Sequence, residues 1–270
     1  MRFLVAKPAD GNSTPPPDAK QRALRETLVK ARHLKIISWN CCMKFRDKAQ
    51  IILEHNPDIL VIQECEAFER IDFNKFSKLP TSMHWTQYES GNKGLGIFSF
   101  GNFSFKVQEN YSSEFSVIVP VRVSDGTEDI NLYGVWTVNT RKPGGSYIDQ
   151  IWNAVEFYDP HIRSEKTMLI GDFNSNVIFD KKNRQATHQN LVTRLAEKGI
   201  KSVYHSKFNQ TQGLEQEPTF YLYRHQDKPF HIDHCFASED LLNRIDSLKI
   251  GKYEDWKAYS DHTPMILTLN

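Results

Sequence analysis

Six short stretches, spread between residues 36 and 262, put a carboxylate, a carboxamide or an imidazole at or near the end of an apolar run. They are Ile-Ile-Ser-Trp-Asn ending at Asn40, Val-Ile-Gln-Glu ending at Glu64, Trp-Thr-Val-Asn from Trp136 to Asn139, Ile-Gly-Asp-Phe-Asn with Asp172 and Asn174, His-Ile-Asp-His around Asp233, and Ser-Asp-His with Asp261 and His262. Short apolar runs of this kind read as strands buried in a sheet. A carboxylate left unpaired at the end of such a strand is costly to bury. The chain is therefore constrained to a fold in which several strand ends share partners, either basic side chains or a cation. Oxygen ligands and an imidazole gathered in that way are what metal-assisted phosphate chemistry requires.

The pattern along the chain is mixed. Residues 8–17 contain Gly, Asn, Ser and three consecutive prolines, which reads as a linker or loose tail. Asp18 followed by Gln21 predicts a helix start, with Leu24, Leu28 and Ala31 on one face and Lys20, Arg22, Arg25, Lys30 and Arg32 on the other. From Leu34 the spacing predicts strand, helix (Phe45 to His55) and strand (Asp58 to Gln63), a βαβ-like opening. Shorter strands are expected near 83–88, 95–100, 103–108, 115–123 and 130–138, with antiparallel pairing. Helices are expected over Tyr147 to Tyr158 and His188 to Lys198. The intervening strand is Thr167 to Gly171, and later strands fall near 201–204, 218–223, 230–237, 244–250 and 264–269. The expected fold class is α+β, a four-layer sandwich of two packed mixed β-sheets flanked by helices. The expected division is residues 1–33 as a tail with a basic helix and residues 34–270 as one catalytic domain.

Composition narrows the classes. Net charge is +1, but residues 1–35 carry +5 and the rest −4, so the chain is no strongly basic nucleic-acid binder and any such affinity must be local. No run of about 18 apolar residues predicts a membrane span. The opening Met-Arg-Phe-Leu-Val-Ala is too short for a signal-peptide core, so a cytoplasmic monomer is the expectation. Cys41, Cys42, Cys65 and Cys235 form no Cys-x-x-Cys, which speaks against a zinc site, and in a chain this long they do not resemble a disulfide framework.

Taken singly, Glu64 suits a structural ion pair as well as a metal ligand. If the chain stays extended, Asp172 and Asn174 share one side, where a carboxylate would take a proton from water beside a carboxamide that orients it; a loop with an Asx-turn is the alternative. A carboxylate, Asp261 or Asp233, hydrogen-bonded to His262 would fix the imidazole tautomer and favour its charged form. His231 and His234, on the opposite strand face from Asp233, read as bystanders. Lys44, Arg46, Arg141 and Lys142 flank the first and third stretches, where phosphate contacts are useful. Trp85, Tyr88, Phe220, Tyr221 and Tyr223 are candidate base-stacking aromatics, although most suit a core or sheet face better.

The ordered set Trp-Asn, Gln-Glu, Gly-Asp-Phe-Asn, Ile-Asp-His and Ser-Asp-His resembles the endonuclease/exonuclease/phosphatase superfamily, over about residues 34–270. Gly94-Leu95-Gly96-Ile97-Phe98-Ser99 also resembles its glycine-led strand. The resemblance implies Mg²⁺, with Mn²⁺ as a substitute, held near Glu64, Asn40 and Asp261. It implies Asp172 activating water, Asn174 and Asn139 contacting water or phosphate, and Asp233 supporting His262. Trp136 departs from the family pattern, which has Tyr or His there; indole offers one N–H donor and no proton to exchange. The implied activity is phosphodiester hydrolysis by a nuclease acting on DNA. The alternative is a phosphatase or phosphodiesterase of small-molecule or lipid phosphoesters.

Overall fold

The computed structural model describes residues 33–88, 91–140 and 144–270. The basic helix expected after Asp18, and the cations Arg141 and Lys142, lie outside the described residues. In chain order the strands are β1 (Leu34–Asn40), β2 (Ile59–Glu66), β3 (Ser82–Gln87), β4 (Lys93–Ser99), β5 (Ser104–Val107), β6 (Ile118–Ser124), β7 (Asp129–Trp136), β8 (Thr167–Asp172), β9 (Ile200–Ser202), β10 (Phe220–Tyr221), β11 (Pro229–Phe230), β12 (Asp233–Ser238), β13 (Ile245–Ile250) and β14 (Met265–Leu269). The helices are α1 (Phe45–Leu53), α2 (Tyr147–Tyr158), α3 (His188–Glu197), α4 (Val203–Phe208), α5 (Glu239–Leu242) and α6 (Tyr253–Trp256).

Two six-stranded sheets result, ordered β13-β14-β1-β2-β4-β3 and β5-β6-β7-β8-β12-β9. Each has a parallel pair, β1/β2 in the first and β7/β8 in the second. Parallel neighbours need a crossover connection, and α1 and α2 lie in those two connections.

The period of two along each strand builds the layers. Leu34, Ile36, Ile59 and Val61 face inward and meet Val121, Leu132 and Ile170 of the second sheet. Ile37, Trp39, Leu60 and Ile62 face outward, against Phe45, Ala49 and Ile52 of α1. Tyr133, Val135, Leu169 and Phe236 do the same for the second sheet, against Ile151, Val155 and Tyr158 of α2 and Leu191 and Leu195 of α3. Each fully buried aliphatic side chain contributes about 1.5–3 kcal/mol relative to its exposed state. These three clusters therefore fix which strand face is inside. The four-layer α+β sandwich is the architecture of the described residues.

Three details differ from the sequence expectation. Val203 and Tyr204 continue as α4 rather than strand, because burying both in the inter-sheet core outweighs their β propensity. The strand expected over 218–223 is only the two-residue β10, since Tyr223 and Arg224 turn left-handed with φ of 56° and 58°. Asp233 opens β12 rather than sitting within a strand.

The same alternation places polar ends together. Asn40 has the parity of Leu34 and Ile36, and Asp172 that of Met168 and Ile170, so both face the space between the sheets. Asp172 pairs in register with Trp136 on one side and Asp233 on the other. Glu64 would follow Leu60 and Ile62 outward, but a register shift between Ile62 and Cys65, with Glu64 at φ 56°, re-aims it.

Gly171 makes the last step to Asp172 possible. Its φ is +151°, and a Cβ there would lie 1.9 Å from the Val135 carbonyl oxygen, which belongs to backbone that cannot swing away. Gly171→Ala is expected to destabilise the fold by more than about 2 kcal/mol, lowering the melting temperature by roughly 4 °C or more. Thermal denaturation followed by circular dichroism checks this; an unchanged midpoint would contradict it.

Candidate active site

Asp172 is fully buried at the end of β8, and both of its oxygens are engaged. The Asn40 side-chain amide donates to Oδ2 at 3.0 Å and that of Asn174 to the same oxygen at 2.9 Å. The Asn174 backbone N–H donates to Oδ1 at 2.9 Å. Asn174 has φ 47°, so the chain does not stay extended past Asp172. The two side chains meet because the backbone folds back in an Asx-turn, with the Asn174 amide also donating to the Thr137 carbonyl.

His262 approaches from the other sheet, in the segment before β14. Its Nδ1 is 2.8 Å from Asp233 Oδ2 and its Nε2 is 4.0 Å from Asp172 Oδ2. Trp39 Nε1 donates to the His262 carbonyl, and Ser260 Oγ accepts from the His262 N–H while donating to the Asn40 carbonyl. Thr219 Oγ1 accepts from the Asp233 N–H. Five of the expected residues, Asn40, Asp172, Asn174, Asp233 and His262, thus form one largely buried network spanning both sheets.

Burial alone would push the His262 imidazole down, but the Asp233 carboxylate outweighs it and, with Asp172 and Asp261, raises its pKa to about 10. Asp172 moves up to about 7, through burial first and the Asp233 charge second, against the opposing pull of His262, Asn40 and Asn174. The pair is strongly coupled; the direction we stand behind is a protonated imidazole wedged between two acids.

The remaining expected residues sit around this network. Asp261 is half-buried and acts on His262 through its charge. Glu64 is half-buried and its Oε1 is 2.8 Å from Lys93 Nζ. Trp136 is 3% exposed and packs in the inter-sheet core, with the Lys93 ammonium 5.7 Å from its ring centroid. Asn139 is exposed, beyond the end of β7. Arg46 pairs with Glu66 at 2.9 Å, whereas Lys44 is exposed. Of the candidate stacking residues, Trp85 Nε1 donates to the Cys65 carbonyl and Tyr88 Oη to that of Val138. Phe220 lies against His262, ring centroids 4.7 Å apart. A recess of about 510 Å³ opens beside the network. Asn174, Tyr147, Phe220, Leu222, Phe230 and Ile232 line it, with Lys181 and Arg184 among its charged residues.

Sequence reasoning missed two features. Tyr147, taken there as a helix residue, lines the recess, and its hydroxyl is held up by burial and then by the Asp172 and Glu64 charges. Its signal was its place as the first residue of α2, directly after the Ser146 N-cap. His231 and His234, read as bystanders, take structural roles. With His188 they brace the turn that carries Asn174, His231 through its backbone carbonyl alone. His234 Nε2 donates to the Ser175 carbonyl at 2.8 Å, His188 Nδ1 bonds Ser175 Oγ at 2.9 Å, and Asn176 donates to the His231 carbonyl at 2.9 Å. No motif spacing linked His188 to the others.

The sequence matches the model of the Endonuclease/Exonuclease/phosphatase family over residues 37–262. The chain belongs to that family. Its enzymes are hydrolytic phosphoesterases that depend on divalent metals. No curated protein gives a significant sequence match. Solved structures with the same fold include the AP endonuclease LMAP from Leishmania major, at 13% identity and TM-score 0.64 over 91% of this chain and 90% of that one. The 3′ phosphatase NExo from Neisseria, bound to a product DNA hairpin, follows at 22% identity and TM-score 0.62, over 88% and 99%. Truncated TDP2 from Caenorhabditis elegans is similar at 15% identity and TM-score 0.62, over 89% and 99%. At these identities the likeness is one of fold.

The donor set suits the hard divalent cation that the family uses. Asp172, Asp233 and His262 bring ligand atoms within 4.8 Å of one another. A protonated imidazole is no ligand, however, and its Nδ1 is committed to Asp233. Glu64 and Asp261 are half-buried carboxylates outside that triplet.

Two measurements follow from the charges. The His262 imidazole is expected to titrate near pH 10 in metal-free protein, and to drop by more than about one unit in Asp233→Asn. Histidine NMR titration checks this, and a His262 titrating near 6.5 would contradict it. The bracing histidines set acid stability. Burial pushes His188 down to about 3 and lowers His231 and His234. The unfolded chain takes these protons near 6.5 and the folded chain refuses them, so stability is full above that pH and is lost as pH falls below it. Asp172, raised to about 7, and His262, raised to about 10, work in the opposite direction, but they are two groups against five, because burial lowers His55 and His84 as well. Each group changes stability by at most about 1.4 kcal/mol per pH unit. Urea denaturation between about pH 6.5 and 5 should therefore show stability falling with pH, and less steeply in His188→Asn.

Proposed function

We propose that this chain is a Mg²⁺-dependent phosphodiester hydrolase acting on nucleic acid, with DNA as the substrate. The observation that carries the reading is the buried Asn40–Asp172–Asn174 group facing the Asp233–His262 pair beside an open recess. Residues 34–270 form the catalytic unit. Four free cysteines suit a cytoplasmic setting.

Glu64 and Asp261 would hold the cation, with Asn40 alongside; when bound, it would supply positive charge to offset that of the phosphate and the leaving group. Asp172 is the general base. The Asn40 and Asn174 amides fix its orientation, and a pKa near 7 leaves it able to accept a proton from water close to neutral pH. Asn174 and Asn139 orient the water and the phosphate. His262 keeps its Nε2–H as a charged donor for a non-bridging phosphate oxygen, with Asp233 holding the ring from behind. Trp136 stands beside Asp172 in the register of β7 and β8 and exchanges no proton.

The recess favours a substrate with a flat apolar group next to the phosphate. A base or sugar turned out of the stack would meet Phe220, Phe230 and Ile232, while Lys181 faces the neighbouring phosphates. The mainly apolar wall also suits a lipid phosphoester, which is the second reading.

Asp172→Asn is expected to lower kcat on labelled DNA oligonucleotides with Mg²⁺ by at least about 10²-fold, and chelation is expected to abolish cleavage. Gel assays on single-stranded and duplex DNA, beside phosphate release from inositol phosphates and sphingomyelin turnover, check both. A wild-type chain that leaves DNA intact but turns over either small substrate would replace this reading with the second.

A further inference from the structure

Lys93 is an unexpected resident of the site. It opens β4 opposite Glu66 of β2, so its side chain emerges at the strand end beside Glu64. Its ammonium is 2.8 Å from Glu64 Oε1 and 5.7 Å from the centre of the Trp136 ring. The indole explains itself in this light: its electron-rich face attracts the cation, yet it offers no acceptor to compete for the ammonium N–H groups. The ion pair is not locked. The Lys93 side chain is 37% exposed and that of Glu64 21%, and pairs this exposed hold together weakly.

From this arrangement, and resting on the hydrolase reading above, we propose that Lys93 is a mobile substrate-contacting cation. It neutralises Glu64 while the site is empty and moves to a non-bridging phosphate oxygen when a divalent cation takes the carboxylate. Two facts drive the exchange. A divalent ion on Glu64 repels an ammonium a few ångströms away. The site also holds Glu64, Asp172, Asp233 and Asp261, against which stand the His262 imidazolium and, acting on Asp261, the Lys48 ammonium, so the carboxylate charge cancels even a bound divalent cation and leaves an incoming phosphodiester without a net positive field. An ammonium with N–H groups to spare, held by an aromatic face at the border of that charge, is placed to accept the phosphate. No bond is made or broken by the lysine; only its partner changes.

The test uses the full chain, Mn²⁺ as the metal probe and a DNA oligonucleotide as substrate. Lys93→Met removes the competitor for Glu64, so Mn²⁺ affinity measured by electron paramagnetic resonance should rise by about fivefold to tenfold. The same variant should lose at least about tenfold in kcat/KM at saturating metal, and Lys93→Arg, which keeps a cation, should recover part of that loss. Thermal midpoints within about 2 °C of wild type would exclude misfolding as the cause. Unchanged Mn²⁺ affinity in Lys93→Met, or unchanged kcat/KM, overturns the proposal. A wild-type chain inert towards every phosphodiester overturns the hydrolase reading itself, whereas an active wild type with an indifferent Lys93→Met variant overturns the lysine's role alone.

Discussion

The structure depends on keeping the Asp172 carboxylate, which has no solvent exposure, inside a sandwich of two sheets. An ionised group in that position is tolerable only with several hydrogen bonds or a nearby opposite charge. Both are present, and they come from distant parts of the chain. Asn40 donates from the first sheet, 132 residues away. His262, tied to the first sheet through the Trp39 indole, brings the positive charge. Asp233 then holds that charge in place. Satisfying one buried acid therefore ties β1, β8, β12 and the segment before β14 to one another. Removing one partner leaves an uncompensated group in the interior, so the site and the inter-sheet packing are energetically coupled.

This coupling explains which parts could be read from the sequence. The layers were legible because period-two alternation in β1 and β2, and the spacing of Ile151, Val155 and Tyr158 in α2, record burial directly. The polar members Asn40, Asp172, Asp233 and His262 were legible as well, since each breaks an apolar pattern at a strand end or beside one. What could not be read was backbone direction. The outward parity of Glu64 is changed by a bulge at φ 56°, and Asn174 meets Asp172 through a left-handed turn rather than along an extended strand. Neither conformation has a compositional sign as plain as the glycine at 171. The second sheet's rear support was hidden for another reason. His188, His231 and His234 act through backbone carbonyls and a serine hydroxyl, and such partners carry no pattern in the sequence.

The same limit explains Trp136. Seen only as a residue type, it is an indole where the sequence resemblance implies a proton-carrying side chain, which reads as a loss. Seen with Lys93 over its face and Glu64 beyond, it is half of a pair. An aromatic ring offers an ammonium attraction without a hydrogen bond, and a hydroxyl at that position would have bonded the ammonium directly. The indole at 136 and the lysine at 93 therefore make physical sense together. An indole that was only a defect would give no reason for an ammonium to sit against its face, at the one carboxylate that the bulge in β2 turns towards the site.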